Sequence, residues 1–304
     1  MTDRDIALFD VALQRRRRAR AAAAAEADRF IARDVAESLF MRLSGIERAF
    51  ERVLILGGGL VPMALPPGRL APDGLCITAD TGVEALAGAA GPPGPRLVLD
   101  DGALPMAAGS LDLLVSALRL HAVNDLPGVL AQIRAALRPD GLFLAALFGG
   151  DTLAELRESL LLAEIEVTGG AGARVSPFAQ LQDCAALLQR AGFALPVADR
   201  EEINVTYESP LSLIADLRAM GETSALADRP ARGLSRRILA RVFEQYAERH
   251  PAPGGRIAAR FEILYLHGWA PHASQARPAR RGSGEVSLGT ALEAIRKARE
   301  GGDG

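Results

Sequence analysis

The sequence predicts an α/β fold, a Rossmann-like parallel sheet with crossover helices, on three observations. Between Arg52 and Gly150 short apolar runs alternate with helical or turn segments, each run bounded by Gly, Pro or Asp. The runs are apolar on consecutive residues, the pattern of strands buried on both faces of a parallel sheet. The first of them, VLIL, breaks directly into Gly57, Gly58 and Gly59, which is how such a sheet opens a ligand crevice at its first strand–helix turn.

In chain order, Asp3 to about Phe50 carries apolar residues at helical spacing with few breakers, and reads as an N-terminal helical extension over 1–50. The strands follow as VLILGGG, GLCITAD, RLVLDDG and LDLLVSAL, then a helix through LPGVLAQIRAAL, then the strand GLFLAAL. FGGDTLAELRESLLLAE reads as a loop entering a helix capped by Asp151. At Gly149 and Gly150 a strand-ending turn or a lid hinge is open. A helix over Gln180 to Arg190, the turn AGF and the strands INVTY and FEILYLHGW, the last at a sheet edge, complete a domain over 51–273. A basic, polar tail, 274–304, is expected to be partly disordered.

At 304 residues, 49% hydrophobic and 24% charged, the chain can bury a large core in one domain with a subdomain. No apolar run approaches the roughly 20 residues of a membrane span. A net charge of -2 leaves no global nucleic-acid footprint. Arg15 to Arg18 and Arg20 form a basic run that a solvated helix face or a partner surface explains more simply than nucleic acid does. Cys76 and Cys184 lie far apart without metal spacing, so no metal site is expected, and a reducing cytoplasm fits.

Candidate chemistry collects at the strand ends. The three glycines let backbone approach a ligand. Asp80 ends the second strand, where a carboxylate accepts from both ribose hydroxyls, and Asp100 and Asp101 follow the third, where an acid accepts from an adenine amino group. Ser116 to Asp125, with His121 and Asn124, forms the far lip of the crevice. A tight turn, helix caps and backbone-satisfying loop residues are the plainer readings of the same residues. Crowded glycines without GxGxxG suit a single adenosine ligand better than a dinucleotide.

The block from Leu104 to Leu160 resembles class I methyltransferases that use S-adenosylmethionine (SAM). FGGDTL (148–153), SPF (176–178), RAGF (190–193), MGE (220–222) and SQARPARRGSGEVSLG near the end are similar to the branch of the mitochondrial complex I assembly factor, the arginine hydroxylase type, and its alphaproteobacterial relatives. Biotin-pathway malonyl-carrier methyltransferases are broader relatives. The resemblance implies a seven-stranded methyltransferase fold with Gly57 and Gly59 at the methionine end of SAM, Asp80 at the ribose, and Asp101 or Asp100 at the adenine. It implies modification of a protein side chain, by methylation or arginine hydroxylation, on a complex I subunit as partner, with peripheral membrane association as one setting. His121, Asn124 and Asp125 are the candidates near the acceptor. The chain departs from the family pattern at Ile55, where an acid is usual, at Val61, where a glycine is, and at Ala122, where an aromatic is. Pro62 removes a further backbone donor. Weakened or lost SAM binding, and with it a catalytically degenerate scaffold, is therefore the alternative expectation.

Overall fold

The computed structural model describes residues 7–25, 29–61, 63–88, 91–230, 233–275, 287 and 289–290. Residues up to Pro271 form one compact unit. In the second unit, from His272, the described residues include a turn in which His272 Nδ1 meets Ser274 Oγ at 2.7 Å. The rest of the expected tail, like Pro62, lies outside the described residues.

Two helices open the chain, α1 (Val11–Ala21) and α2 (Phe30–Ser44). Asp10 caps α1 by accepting from the Leu13 amide at 2.9 Å. Then follow β1 (Phe50–Leu56), β2 (Leu70–Asp80), α3 (Val83–Ala87), β3 (Arg96–Val98) and β4 (Leu111–Ala117). A 3-10 turn, Leu120–Ala122, leads to α4 (Leu126–Ala136), and β5 (Leu137–Phe148) ends the parallel half. The remainder is α5 (Ala154–Thr168), α6 (Leu181–Arg190), β6 (Ala194–Tyr207), α7 (Pro210–Met220), α8 (Arg236–Arg249), β7 (Pro251–Ala252) and β8 (Arg256–Trp269).

The sheet runs β3-β2-β1-β4-β5-β8-β6, with the two-residue β7 paired to β8. β1 to β5 are mutually parallel where they pair, and β8 lies antiparallel between β5 and β6. Apart from the two-residue β7 the sheet has the seven strands expected from the resemblance. Strand order reverses between β1 and β4, so the carboxyl ends of those two strands flank the crevice where ligands of such sheets sit. FEILYLHGW is an interior strand and not the expected edge. Phe261, Ile263, Leu264, Tyr265 and Leu266 are all buried, which only a strand covered on both faces requires. β6 takes the edge, and its burial alternates accordingly.

Each face of the sheet carries a core. In β1, Val53 and Ile55 join the layer of α2, α5, α7 and α8, while Leu54 and Leu56 join the layer of α4 and α6. The N-terminal helices belong to the first layer. Ile31, Val35, Leu39 and Leu43 of α2 are fully buried there. Leu39→Ala should therefore lower unfolding free energy by about 2–5 kcal/mol in denaturant titration; a change near zero would mean that α2 does not belong to the cooperative core.

Two local expectations change. α5 is entered through Leu153 in the left-handed region, φ 58°, and Asp151 does not cap it. Instead the Asp151 amide donates to Glu262 Oε2 at 3.0 Å. Gly149 donates its amide to the Glu262 carbonyl, and a Cβ there would stand 2.4 Å from Glu262 Oε2. Of the two readings of this glycine pair, the strand-ending turn is the one the packing supports.

Candidate functional site

The glycine turn is tight because the protein itself fills it. Gly57 has φ +87°, and a Cβ on it would lie 2.6 Å from the Ala117 carbonyl oxygen and 2.7 Å from Arg119 Cγ. On Gly58 it would meet Thr78 Cγ2 at 2.9 Å, and on Gly59 Asp80 Oδ2 at 2.7 Å. These glycines thus serve the approach of β1 to β2 and β4 before they serve any ligand. Among the described residues, the backbone positions with positive φ do not include Val61. Its side chain is buried and packs with Leu60 and Met63 into the core, so the turn that would need glycine closes inward.

Asp80, the last residue of β2, is completely buried and faces Arg18 of α1. Arg18 Nε donates to Oδ1 at 2.6 Å and Nη2 to Oδ2 at 2.5 Å. The Thr81 amide donates to Oδ1 at 2.8 Å and the Gly59 amide to Oδ2 at 3.2 Å. Two donors on each oxygen saturate the carboxylate. Arg18 Nη2 also reaches the Gly57 carbonyl at 3.4 Å. The basic run expected to be solvated or partner-facing therefore contributes one arginine to the interior.

The two acids after β3 divide. Asp101 is buried and paired with Arg119, whose Nε donates to Oδ2 at 2.9 Å, while Asp101 Oδ1 is buried without a partner. Asp100 is half-buried, pairs with Arg15 at 2.9 Å and accepts from the Gly102 amide to close a turn. Consecutive residues leaving a strand point to opposite sides, which is why only one of them can enter the crevice.

His121 is buried against Phe148 and Phe178, with ring centroids at 4.9 and 5.5 Å. Its Nε2 meets Glu222 Oε2 at 2.9 Å and its Nδ1 has no partner. Asn124 instead clasps the N-terminal segment, donating to the Phe9 carbonyl at 3.0 Å and accepting from the Phe9 amide at 2.8 Å. Asp125 caps α4, accepting from the Gly128 amide at 2.8 Å. Ala122 contributes its carbonyl, which accepts from Gln14 Nε2 at 2.7 Å.

Three residues of this cluster escape a reading by motif chemistry: Arg18, Arg119 and Glu222. Glu222 lay in plain view in the MGE segment, and Arg18 within the arginine run, but what selects them is pairing across the fold. Arg18 and Arg119 face Asp80, Asp101 and Glu222, and His121 meets Glu222 through Nε2. Burial pushes the Asp80 carboxyl up, but the charge and hydrogen bonds of Arg18, with Arg119 and the Thr81 amide, outweigh it and hold the group at about 2. Burial likewise opposes the lowering of Glu222, and His121, Arg119 and Arg18 overcome it. Arg119 is held above the usual guanidinium range by Asp101, Asp80 and Glu222, against burial.

The sign of the resulting pH dependence follows. A carboxyl depressed to about 2 from 3.8 contributes its full stabilisation above the unfolded value and loses it as pH falls through the folded one. Unfolding free energy should therefore drop by about 2 kcal/mol through this group between pH near 4 and pH near 2. Urea titrations across that window check it: a double variant Arg18→Met, Asp80→Leu should show the smaller drop, and equal drops would remove Asp80 as its source.

Space around the glycine turn is small. Arg18, Arg29, Gly57, Leu60, Val61 and Glu222 are among the residues around a cavity of about 20 Å³. Arg29 ties the neighbourhood together, donating to the carbonyls of Ala21, Ala24, Leu60 and Ala219 at 2.6, 2.7, 2.8 and 3.1 Å.

A glycine turn after β1, a carboxylate at the end of β2 and a buried acid after β3 lie at the carboxyl ends of a 3-2-1-4-5 parallel sheet, the strand order of the class I methyltransferase fold. A methyltransferase-domain family matches residues 68–145. The solved YcgJ protein from Bacillus subtilis shares the fold at a TM-score of 0.51 and 16% identity, over 78% of this chain and 99% of that one. Human mitochondrial arginine-hydroxylase NDUFAF5 is 39% identical over 292 residues, 94% of this chain and 84% of the relative. Malonyl-[acyl-carrier protein] O-methyltransferase of Laribacter hongkongensis is 38% identical over 189 residues, covering 62% and 60%. The chain belongs to the arginine-hydroxylase NDUFAF5 family, a family of enzymes on the class I methyltransferase fold.

Proposed function

We propose that the protein is an enzyme that modifies a side chain of a protein substrate during assembly of respiratory complex I, by methylation from SAM or by arginine hydroxylation with dioxygen and a reductant as co-reactants, acting from the cytoplasm. The observation that carries the cofactor half of this reading is Asp101 Oδ1, a buried acceptor without a partner at the position where an adenine amino group would need one. An unsatisfied buried carboxylate oxygen is costly, and a donor from a ligand relieves it. Asp80 is the right residue for the ribose diol, but its four acceptor positions are filled while Arg18 is in place. The donor set therefore fits SAM only once Arg18 withdraws.

When bound, SAM supplies an already activated methyl group, so the protein's own task is mainly placement. Asp80 would accept from the ribose and Asp101 from the adenine, with the glycine turn against the remaining chain of the ligand. His121 is the group suited to take a proton from the acceptor at Nδ1, since Glu222 on Nε2 fixes the ring. Asn124 is bonded to the Phe9 backbone and Asp125 to the Gly128 amide, which makes His121 the best placed of the three candidates. Among the described residues no helix is long and apolar enough to cross a membrane. A membrane-bound complex I subunit would then be met at the surface.

The saturation of Asp80 by Arg18 favours a second reading, a scaffold for a respiratory subunit whose cofactor seat has closed for good. Calorimetric titration with S-adenosylhomocysteine decides between them. Saturable binding, weakened in Asp80→Ala of verified fold, supports the enzyme; so does a gain of one methyl group or one oxygen atom on a co-purified subunit. No binding at millimolar ligand, with no mass gain, sinks it and leaves the scaffold.

A further inference from the structure

Glu222 also borders a cavity of about 230 Å³ that the glycine turn does not reach. Most of its wall is apolar, from Leu153, Leu156 and Leu160 of the α5 region to Phe178, Leu217 and Leu234. Its charged groups are Arg17, Arg174, Arg229 and Glu222, and three of these have partners within the protein. Arg174 is held by Glu164 at 2.6 Å, Arg229 by Asp10 at 3.3 Å and Glu222 by His121 at 2.9 Å.

Arg17 is different. Among the described residues no carboxylate pairs with it, and its Nη1 is buried with no hydrogen-bond partner. Ser224 Oγ, on the same cavity wall, is also buried and unpartnered. Burial and the neighbouring charges of Arg229 and Arg20 push the Arg17 guanidinium down from its ordinary range, against a smaller opposing effect of Asp10. A half-buried cation beside two others, with no acid of its own, is an uncompensated charge. Arg17 and Thr223 also line an open cleft of about 570 Å³ with Arg20 and Arg218. That cleft gives an anion an electrostatically favourable approach to the cavity.

We propose that this cavity is a binding site for a small apolar carboxylate, its carboxylate at Arg17 Nη1 and Ser224 Oγ and its hydrocarbon against the leucines and Phe178. A charge on hydrocarbon is what the lining asks for: an inorganic anion would leave the apolar wall uncovered, and an amine would meet the arginines. An acidic side chain of a partner offers the same carboxylate with less hydrocarbon, and so fills the wall less well. The site does not depend on the SAM reading, because the cavity excludes the glycine turn and its test uses no cofactor.

The test is calorimetric titration of the full chain with hexanoate, hexylamine, sulfate and N-acetylglutamate amide, on the native protein, Arg17→Gln and Arg17→Lys. Saturable hexanoate binding, at least about tenfold weaker in Arg17→Gln (about 1.4 kcal/mol) and largely kept in Arg17→Lys, is the expected result. The proposal is overturned if hexanoate does not saturate, if Arg17→Gln binds it as well as the native protein, or if hexylamine, sulfate or the glutamate derivative binds as tightly. Arg17 is half-buried on α1 and its Nη1 holds no hydrogen-bond partner that a substitution would strand, so both variants should fold.

Discussion

Asp80→Ala should cost the folded state about 3–5 kcal/mol, because it strands Arg18 as an unpaired cation in the interior. Arg18 is 5% exposed at its side chain and loses both of its strongest contacts, at 2.6 and 2.5 Å. The amides of Gly59 and Thr81 lose their acceptor as well. The double replacement Arg18→Met, Asp80→Leu should recover most of the loss, since exchanging a whole buried pair for apolar groups of similar volume is close to neutral. Guanidinium titrations of the three proteins measure both numbers. Additive losses, with the double variant the least stable, would mean that the two side chains do not compensate one another.

A second large effect should appear in ligand affinity. Arg18→Gln is expected to tighten S-adenosylhomocysteine binding about tenfold or more. On the proposed reading the nucleoside and Arg18 need the same oxygens of Asp80, so affinity in the native protein should be scaled down to the fraction of molecules in which Arg18 has let go. An imbalance of only about 1.4 kcal/mol toward the closed arrangement gives that factor. Glutamine is short of the carboxylate and cannot donate bidentately, while it leaves α1 helical. Unchanged or weaker binding would show that Arg18 does not compete at Asp80, and the tightening should be absent for ligands of the Arg17 cavity.

Much of this architecture is readable from local pattern. Apolar runs ending in Gly57, Asp80 and Asp101 mark strands and their carboxyl ends, because a doubly covered strand has to be apolar on successive residues and its end is where the chain can be polar again. β8 shows the limit of that reading. Its run of Ile263 to Leu266 is as continuous as Val53 to Leu56 of β1, a signal for an interior position, but its antiparallel insertion between β5 and β6 depends on pairing far along the chain.

The site divides along the same line. Asp80 and the glycines declare themselves by position. Nothing local separates Arg18 from Arg15, Arg16 or Arg17, except that Arg18 and Ala21 fall on one face of α1 at a spacing of three and are the two buried residues of that helix. Arg119 and Glu222 become functional candidates only when β4 and the end of α7 are brought to the same crevice. Asp125 and Asn124 show the converse, since residues suited to chemistry are occupied by a helix cap and by the Phe9 backbone.

Arg29 has a kinetic consequence. By holding the carbonyls of Ala21 and Ala24, of Leu60 in the glycine turn and of Ala219 near the end of α7, it links the N-terminal strap, the glycine turn and the segment leading to Glu222. An excursion of α1 that frees Asp80 is then transmitted to the wall beside His121. If Asp80 takes the nucleoside as proposed, that ligand should enter first and leave last, an ordered pattern that product-inhibition kinetics would show.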